Sequence, residues 1–145
     1  PSRSQPMLVP SDEEITAILR DAKTIAVVGI SDKPDRESHS VAKYIQDQSY
    51  HIIPVNPMLE RVLDEPCYPS LLDIPEQIDI VDIFRRPEAV PEVVDQAIEI
   101  GAKVVWMQLG IAHEAAAEKA QQAGLKVIMD RCIRREHLRL LGSNQ

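Results

Sequence analysis

Apolar residues fall along this chain in two alternating patterns, short unbroken runs and stripes at helical spacing. The runs are "TIAVVGI" (24–30), "HIIPV" (51–55), "DIVDIF" (79–84), "KVVWMQ" (103–108) and "LKVIMD" (125–130). Continuous hydrophobic runs of this length predict strands buried on both faces. Between them, Ile15, Ile18, Leu19 and Ala22 share one helical face. So do Val41, Tyr44, Ile45 and Gln48, and then Val90, Val93, Val94, Ala97 and Ile98. The Ala-rich "AHEAAAEKAQQA" predicts a further helix.

The boundaries carry their own signals. Ser11 with Glu14 forms a capping box, and Ser38 or Ser40 is expected to cap the second helix. Asn56 and Pro57 close the second strand, while Gly101 and Gly124 stop helices. Residues 58–78, with Pro66, Pro69 and Pro75, read as turns with one short helical turn near 70–73. Residues 1–10 read as a flexible N-terminal arm and residues 11–145 as one domain. Strands alternating with helices predict an α/β, doubly wound parallel sheet of about five strands. Ligands of such sheets bind outside the carboxyl ends of the strands. That places attention on Gly29–Ser31, Val55–Pro57, Phe84–Arg86, Gln108–Gly110 and Asp130–Cys132.

Composition narrows the function. Hydrophobic residues make up 44% and charged residues 27% of 145, as in an ordinary globular domain, and aromatic residues only 3%, so Ile, Val, Leu and Ala must build the core. Sixteen basic against 23 acidic residues give a net charge of −7, without the basic footprint of a nucleic-acid binder. An anionic ligand therefore needs local positive charge or helix N-termini. Cys67 and Cys132 stand in no paired motif and read as reduced thiols. No stretch approaches the ~20 apolar residues of a membrane span, and "PSRSQPMLVP" has no signal-like apolar core. A cytoplasmic protein is expected.

The first strand's loop lacks the GxGxxG of a nicotinamide site. Only Gly29 is present, with Ser31 at the second glycine position, and Asn56–Pro57 stands where a ribose-binding carboxylate belongs. The loop nevertheless suits an anion: Ser31, Ser38 and Ser40 offer hydroxyls, and Lys33 and Arg36 offer charge. The alternative is a plain capped helix behind a solvated loop. Arg85 and Arg86, directly after a buried strand, either face phosphates as bidentate donors or pair with Glu88 and Asp82. A phospho-accepting receiver domain would need acids where Gly-Ile-Ser, Phe-Arg-Arg and Asp-Arg-Cys stand. GxxxxGK[ST] and GxSxG are absent. Asp130, Cys132, Glu136 and His137 suggest a thiol or zinc site, but a Cys–His spacing of five would leave the two on different faces of a helix, so packing and capping are preferred. His39, His51 and His113 have no ligand spacing, and Trp106 is expected in the core.

Taken in order, "VVGISDKPDRESHSVAKYI", "IIPVNP", "YPSLLDIPEQIDIVDIFRRPE", "GAKVVWMQLGI" and "AGLKVIMDRC" resemble the small stand-alone coenzyme A-binding proteins. These correspond to the CoA-binding domain of the succinyl-CoA synthetase α-subunit, and the resemblance spans about Ile15 to Leu140. It implies a Rossmann-like fold whose first loop holds the phosphates of CoA. On that basis Gly29, Ile30 and Ser31 form the first turn, with Ser38 and Ser40 near the pyrophosphate. Val55, Asn56 and Pro57 flank the adenosine, and Phe84, Arg85 and Arg86 line the nucleotide side. Gln108, Leu109 and Gly110 close the site along the pantetheine path. Lys33, Arg36 or the arginine pair are assigned to the 3′-phosphate from charge alone.

A synthetase also needs a phospho-His domain and a nucleotide-activating partner subunit, for which 145 residues leave no room. The expectation is thus binding of CoA or an acyl-CoA without ligation: no nucleic acid, no membrane, and a protein partner or homo-oligomer left open. Competing readings are an NAD(P)-dependent oxidoreductase, a regulatory interaction module with a vestigial pocket, and acyl-CoA chemistry at Cys132.

Overall fold

A computed structural model describes residues 9–142. The arm expected over 1–10 lies outside these residues except for Val9 and Pro10. Five parallel strands make the sheet: β1 (Thr24–Val28), β2 (His51–Val55), β5 (Ile80–Ile83), β6 (Val104–Met107) and β7 (Lys126–Ile128), in the order β2-β1-β5-β6-β7. The chain moves outward from β1 to β2, then crosses back over β1 to β5 and proceeds the other way. The switch point therefore lies between β1 and β5, where Val28 pairs with Ile83. The α/β expectation holds.

Helices α1 (Asp12–Asp21), α2 (Glu37–Asp47) and α5 (Ile133–Leu140) cover one face, and α3 (Val90–Glu99) and α4 (Glu114–Gln122) the other. Strand alternation explains the division, since Val27, Asp82 and Trp106 share one face, whereas Ala26, Val81 and Val105 share the other. The strand runs are mainly apolar because both faces are covered, and Asp82 in β5 is buried with them.

Several boundaries differ from expectation. The Ser11–Glu14 capping box forms in full. Neither Ser38 nor Ser40 caps α2, however: Arg36 occupies the N-cap and makes no side-chain capping bond. Both serines lie inside the helix, where Ser38 Oγ accepts from the Ser31 amide at 3.0 Å and Ser40 Oγ accepts from Arg134 at 2.8 Å. The pairing ends at Val28 and Ile83, short of the apolar runs, because Ile30 and Phe84 pack beneath the loops rather than in strands.

Within 58–78 the expected turn is a single 3-10 turn, Leu71–Asp73, capped by Ser70. A small hairpin, β3 (Arg61–Val62) and β4 (Glu65–Pro66), precedes it, with Leu63 and Asp64 both at positive φ as a tight two-residue turn requires.

Candidate functional site

Gly29 is the pivot of the strand edge. It follows β1 at φ +89, and its amide donates to the Val55 carbonyl at 2.9 Å. A Cβ there would lie 2.5 Å from the Phe84 carbonyl oxygen and 2.8 Å from Arg85 Cδ. Only glycine permits both the left-handed backbone and this approach of the β5 loop. Asn56 braces the second side. Its amide donates to the Ile30 carbonyl at 2.8 Å and its Oδ1 accepts from the Met58 amide at 2.8 Å. The residue standing in place of a ribose-binding acid thus ties the β2 loop to the β1 loop.

These loops enclose a cleft of about 720 Å³ at the switch point, within the size range of small-molecule sites. It collects Gly29, Arg36, Val55, Asn56, Pro57, Phe84, Arg85 and Arg86 from the residues singled out in the sequence. It also takes in Met58, Ser70, Glu92 and Gln96, which sequence reasoning missed. The first two come from segments beside the strand ends, and the last two from α3, so only the folded chain brings them to this edge. Among the described residues Arg36, Arg85 and Arg86 enter no ion pair. The pairing of the two arginines with Asp82 and Glu88 does not occur. Three guanidiniums against Glu92 make this a locally positive pocket in a protein of net charge −7.

The other expected residues lie outside the cleft lining. Ile30 is fully buried, and Ser31 and Ser38 are linked to each other across the loop. Lys33 is exposed, and its amide donates to Ser31 Oγ at 3.1 Å. Ser40 faces Arg134 between α2 and α5. Gln108 points into the sheet, donating to Asp82 Oδ1 at 2.6 Å. Leu109 is exposed, and the Gly110 amide donates to Asp130 Oδ1 at 2.6 Å. Burial drives the Asp82 carboxyl up to about 8, against the pull of the Gln108 hydrogen bond, so it is held neutral at pH 7.

The C-terminal group is a packing unit. Cys132 is buried at the start of α5, and Tyr44 OH lies 2.8 Å from His137 Nδ1. Tyr44 and Tyr50 both meet the His137 ring edge-on, and burial pushes that imidazole below its ordinary pKa. Among the described residues no cluster of three His, Cys, Asp or Glu is placed to hold a metal ion. Among the described residues no helix is long and apolar enough to cross a membrane. Both cysteines are free thiols, and Trp106 is fully buried.

Comparison with known proteins bears on the family and the fold. The chain is 47% identical over 128 residues to the uncharacterized protein YneT of Bacillus subtilis, covering 88% of this chain and 95% of that one. A solved structure of a hypothetical protein from Pyrococcus horikoshii OT3 superposes with a TM-score of 0.91 at 47% identity, covering 97% of this chain and 99% of that one. An ADP-forming acetate–CoA ligase I of Archaeoglobus fulgidus is 27% identical over 121 residues. That match takes in 77% of this chain but only 18% of the ligase, so the chain corresponds to under a fifth of the larger protein. The family model described as CoA binding domain matches residues 23–138, and the chain belongs to that family.

Proposed function

We propose that the protein binds coenzyme A, free or acylated, in the cleft at the β1–β5 switch point, and that it does so as a binding protein without ligase chemistry. The observation that carries this reading is the convergence of Arg36, Arg85 and Arg86, free of ion pairs among the described residues, around Gly29, where the backbone leaves no space for a side chain. Such a site favours phosphate groups. Guanidiniums supply bidentate donors, and the glycine lets the β5 loop bring Arg85 close against the β1 turn. Asn56 supports CoA over NAD, because its side chain is committed to the Ile30 carbonyl and Met58 amide and presents no carboxylate to ribose hydroxyls.

Calorimetric titration with CoA, 3′-dephospho-CoA and NAD tests the reading. CoA is expected to bind, dephospho-CoA more weakly, and NAD far more weakly. Equal binding of the first two would remove the arginines from 3′-phosphate recognition. Binding of NAD alone, or of none of the three, would overturn the function.

A further inference from the structure

The cleft crosses the sheet edge, and its two ends differ in chemistry. Arg36 starts α2, whose apolar side packs on one face of the sheet with Ile25, Val27 and Ile52. Gln96 lies on α3, which packs on the other face with Ala26, Val28 and Val55. Gly29 and the β5 loop lie at the crossing, with the stem of Arg85 directly over the glycine. Arg36 thus stands on the α2 side, while Arg85 and Arg86 follow β5 at the crossing and lead toward α3. Val55 and Val93 pack on the α3 side, and Pro57, Met58 and Pro69 line the cleft together with Glu92, which precedes Gln96 by one turn of α3.

On the α3 side the amide of Gln96 meets a hydroxyl from the 68–70 segment. The 68–70 segment runs beside the end of β2, bridged at Val55 to Tyr68, and carries Ser70 up to α3. Ser70 Oγ accepts from the Leu72 amide at 3.1 Å, so its proton is free to point at Gln96 Oε1, 3.4 Å away. With that hydroxyl donating to the carbonyl oxygen, Gln96 Nε2 is left without a protein partner among the described residues. The half-buried amide thus keeps both N–H donors and a second carbonyl lone pair beside the Val55, Pro57, Met58, Pro69 and Val93 side chains.

An adenine base matches that pattern. Its edge presents an amino donor next to a ring-nitrogen acceptor, which a Gln amide engages with two hydrogen bonds, while its faces suit Pro, Val and Met walls. Met58 is 84% exposed at the rim and is placed to close over such a base. We infer that Gln96, oriented by Ser70, reads the adenine edge of the bound nucleotide and sets the protein's preference for an adenine-bearing ligand. This inference rests on the CoA site proposed above.

The test compares CoA with 1,N6-etheno-CoA, whose extra ring removes the amino donor and the N1 acceptor but leaves the phosphates and pantetheine intact. Wild-type protein is expected to bind CoA about tenfold more tightly than the etheno analogue, as for loss of one good base contact. In Gln96→Ala and in the length-preserving Gln96→Met the two ligands should bind alike, with melting temperatures close to wild type. A side chain that only fastens α3 to the 68–70 segment would change both affinities equally and leave their ratio intact. An unchanged ratio in the two variants, or no discrimination by wild type, overturns the role of Gln96 while leaving the CoA site standing. Failure of wild type to bind CoA itself removes the site, and this inference with it.

Discussion

Two stretches of one sheet edge invite comparison: the ends of β1, β2 and β5, and the ends of β6 and β7. Both carry polar residues at positions where doubly wound proteins hold ligands. At β6 and β7 the polar groups are consumed internally. Gln108 binds Asp82, Asp130 binds the Gly110 amide, the Trp106 indole donates to the Arg131 carbonyl at 2.8 Å, and the Arg131 guanidinium lies 3.6 Å from Glu136. At the switch point the guanidiniums form no ion pair among the described residues, and Gly29 lets the β5 loop close in beside them. Position at the strand ends is therefore not sufficient to mark a site. What distinguishes the two stretches is whether the fold has already spent the hydrogen-bonding capacity gathered there.

The largest effect separating the two is expected from Asp82. Its carboxyl titrates near 3.8 when exposed and is raised to about 8 on burial. The unfolded chain loses this proton as pH rises above 4, while the folded chain keeps it until about 8. Stability is thus full below the unfolded value and falls with rising pH across that window, by at most ~1.4 kcal/mol per pH unit. Urea unfolding of Asp82→Asn should show most of that slope gone and a higher midpoint at pH 8. An unchanged pH dependence would mean the carboxyl is ionised in the fold.

Gly29→Ala comes next. The left-handed backbone costs an L-residue ~1–2 kcal/mol, and the methyl must also displace the Phe84 carbonyl. Loss of CoA binding together with a lowered melting temperature is expected; retained binding would mean that the close approach at Gly29 is dispensable.

Gln108→Ala and Arg85→Ala then test the contrast directly. Removing Gln108 leaves buried Asp82 without its donor and should cost ~1–3 kcal/mol in unfolding experiments. Arg85→Ala, and likewise Arg86→Ala, should leave stability within ~0.5 kcal/mol of wild type, as for exposed positions, and weaken CoA roughly tenfold by titration. Should Gln108→Ala reduce affinity as much as Arg85→Ala, the distinction between the two stretches would collapse. The smallest effect is remote from both. Ser11→Ala removes the α1 cap and should cost ~1 kcal/mol with CoA affinity untouched.

How much was legible in the sequence follows from the same physics. The five strands stand out because sheet burial on both faces demands mainly apolar runs, of which 24–30 is continuous and 79–84 is interrupted by Asp82. Helix α5 did not, because Glu136 and His137 occupy buried positions on it and interrupt its apolar stripe. Their burial is made tolerable by Arg139, 2.7 Å from Glu136 and one turn along the same helix, and by the Tyr44 hydroxyl on His137, a contact 93 residues distant that spacing cannot reveal. The β3–β4 hairpin was hidden because two-residue strands have no period to read. Gly29, Asn56 and the arginine pair were legible, since they directly follow strands. Gln96 was not. Its one local signal is a polar side chain bordering the apolar stripe of Val93, Val94 and Ala97, and its partner Ser70 lies 26 residues away.

Determining the structure of the CoA complex would test the assignment of the cleft most directly. The diphosphate is expected over Gly29, within hydrogen-bonding reach of Arg36 or Arg85, with the adenine between Met58 and Val93. Nucleotide density over Gln108–Gly110 and Asp130, with the switch-point cleft empty, would contradict it.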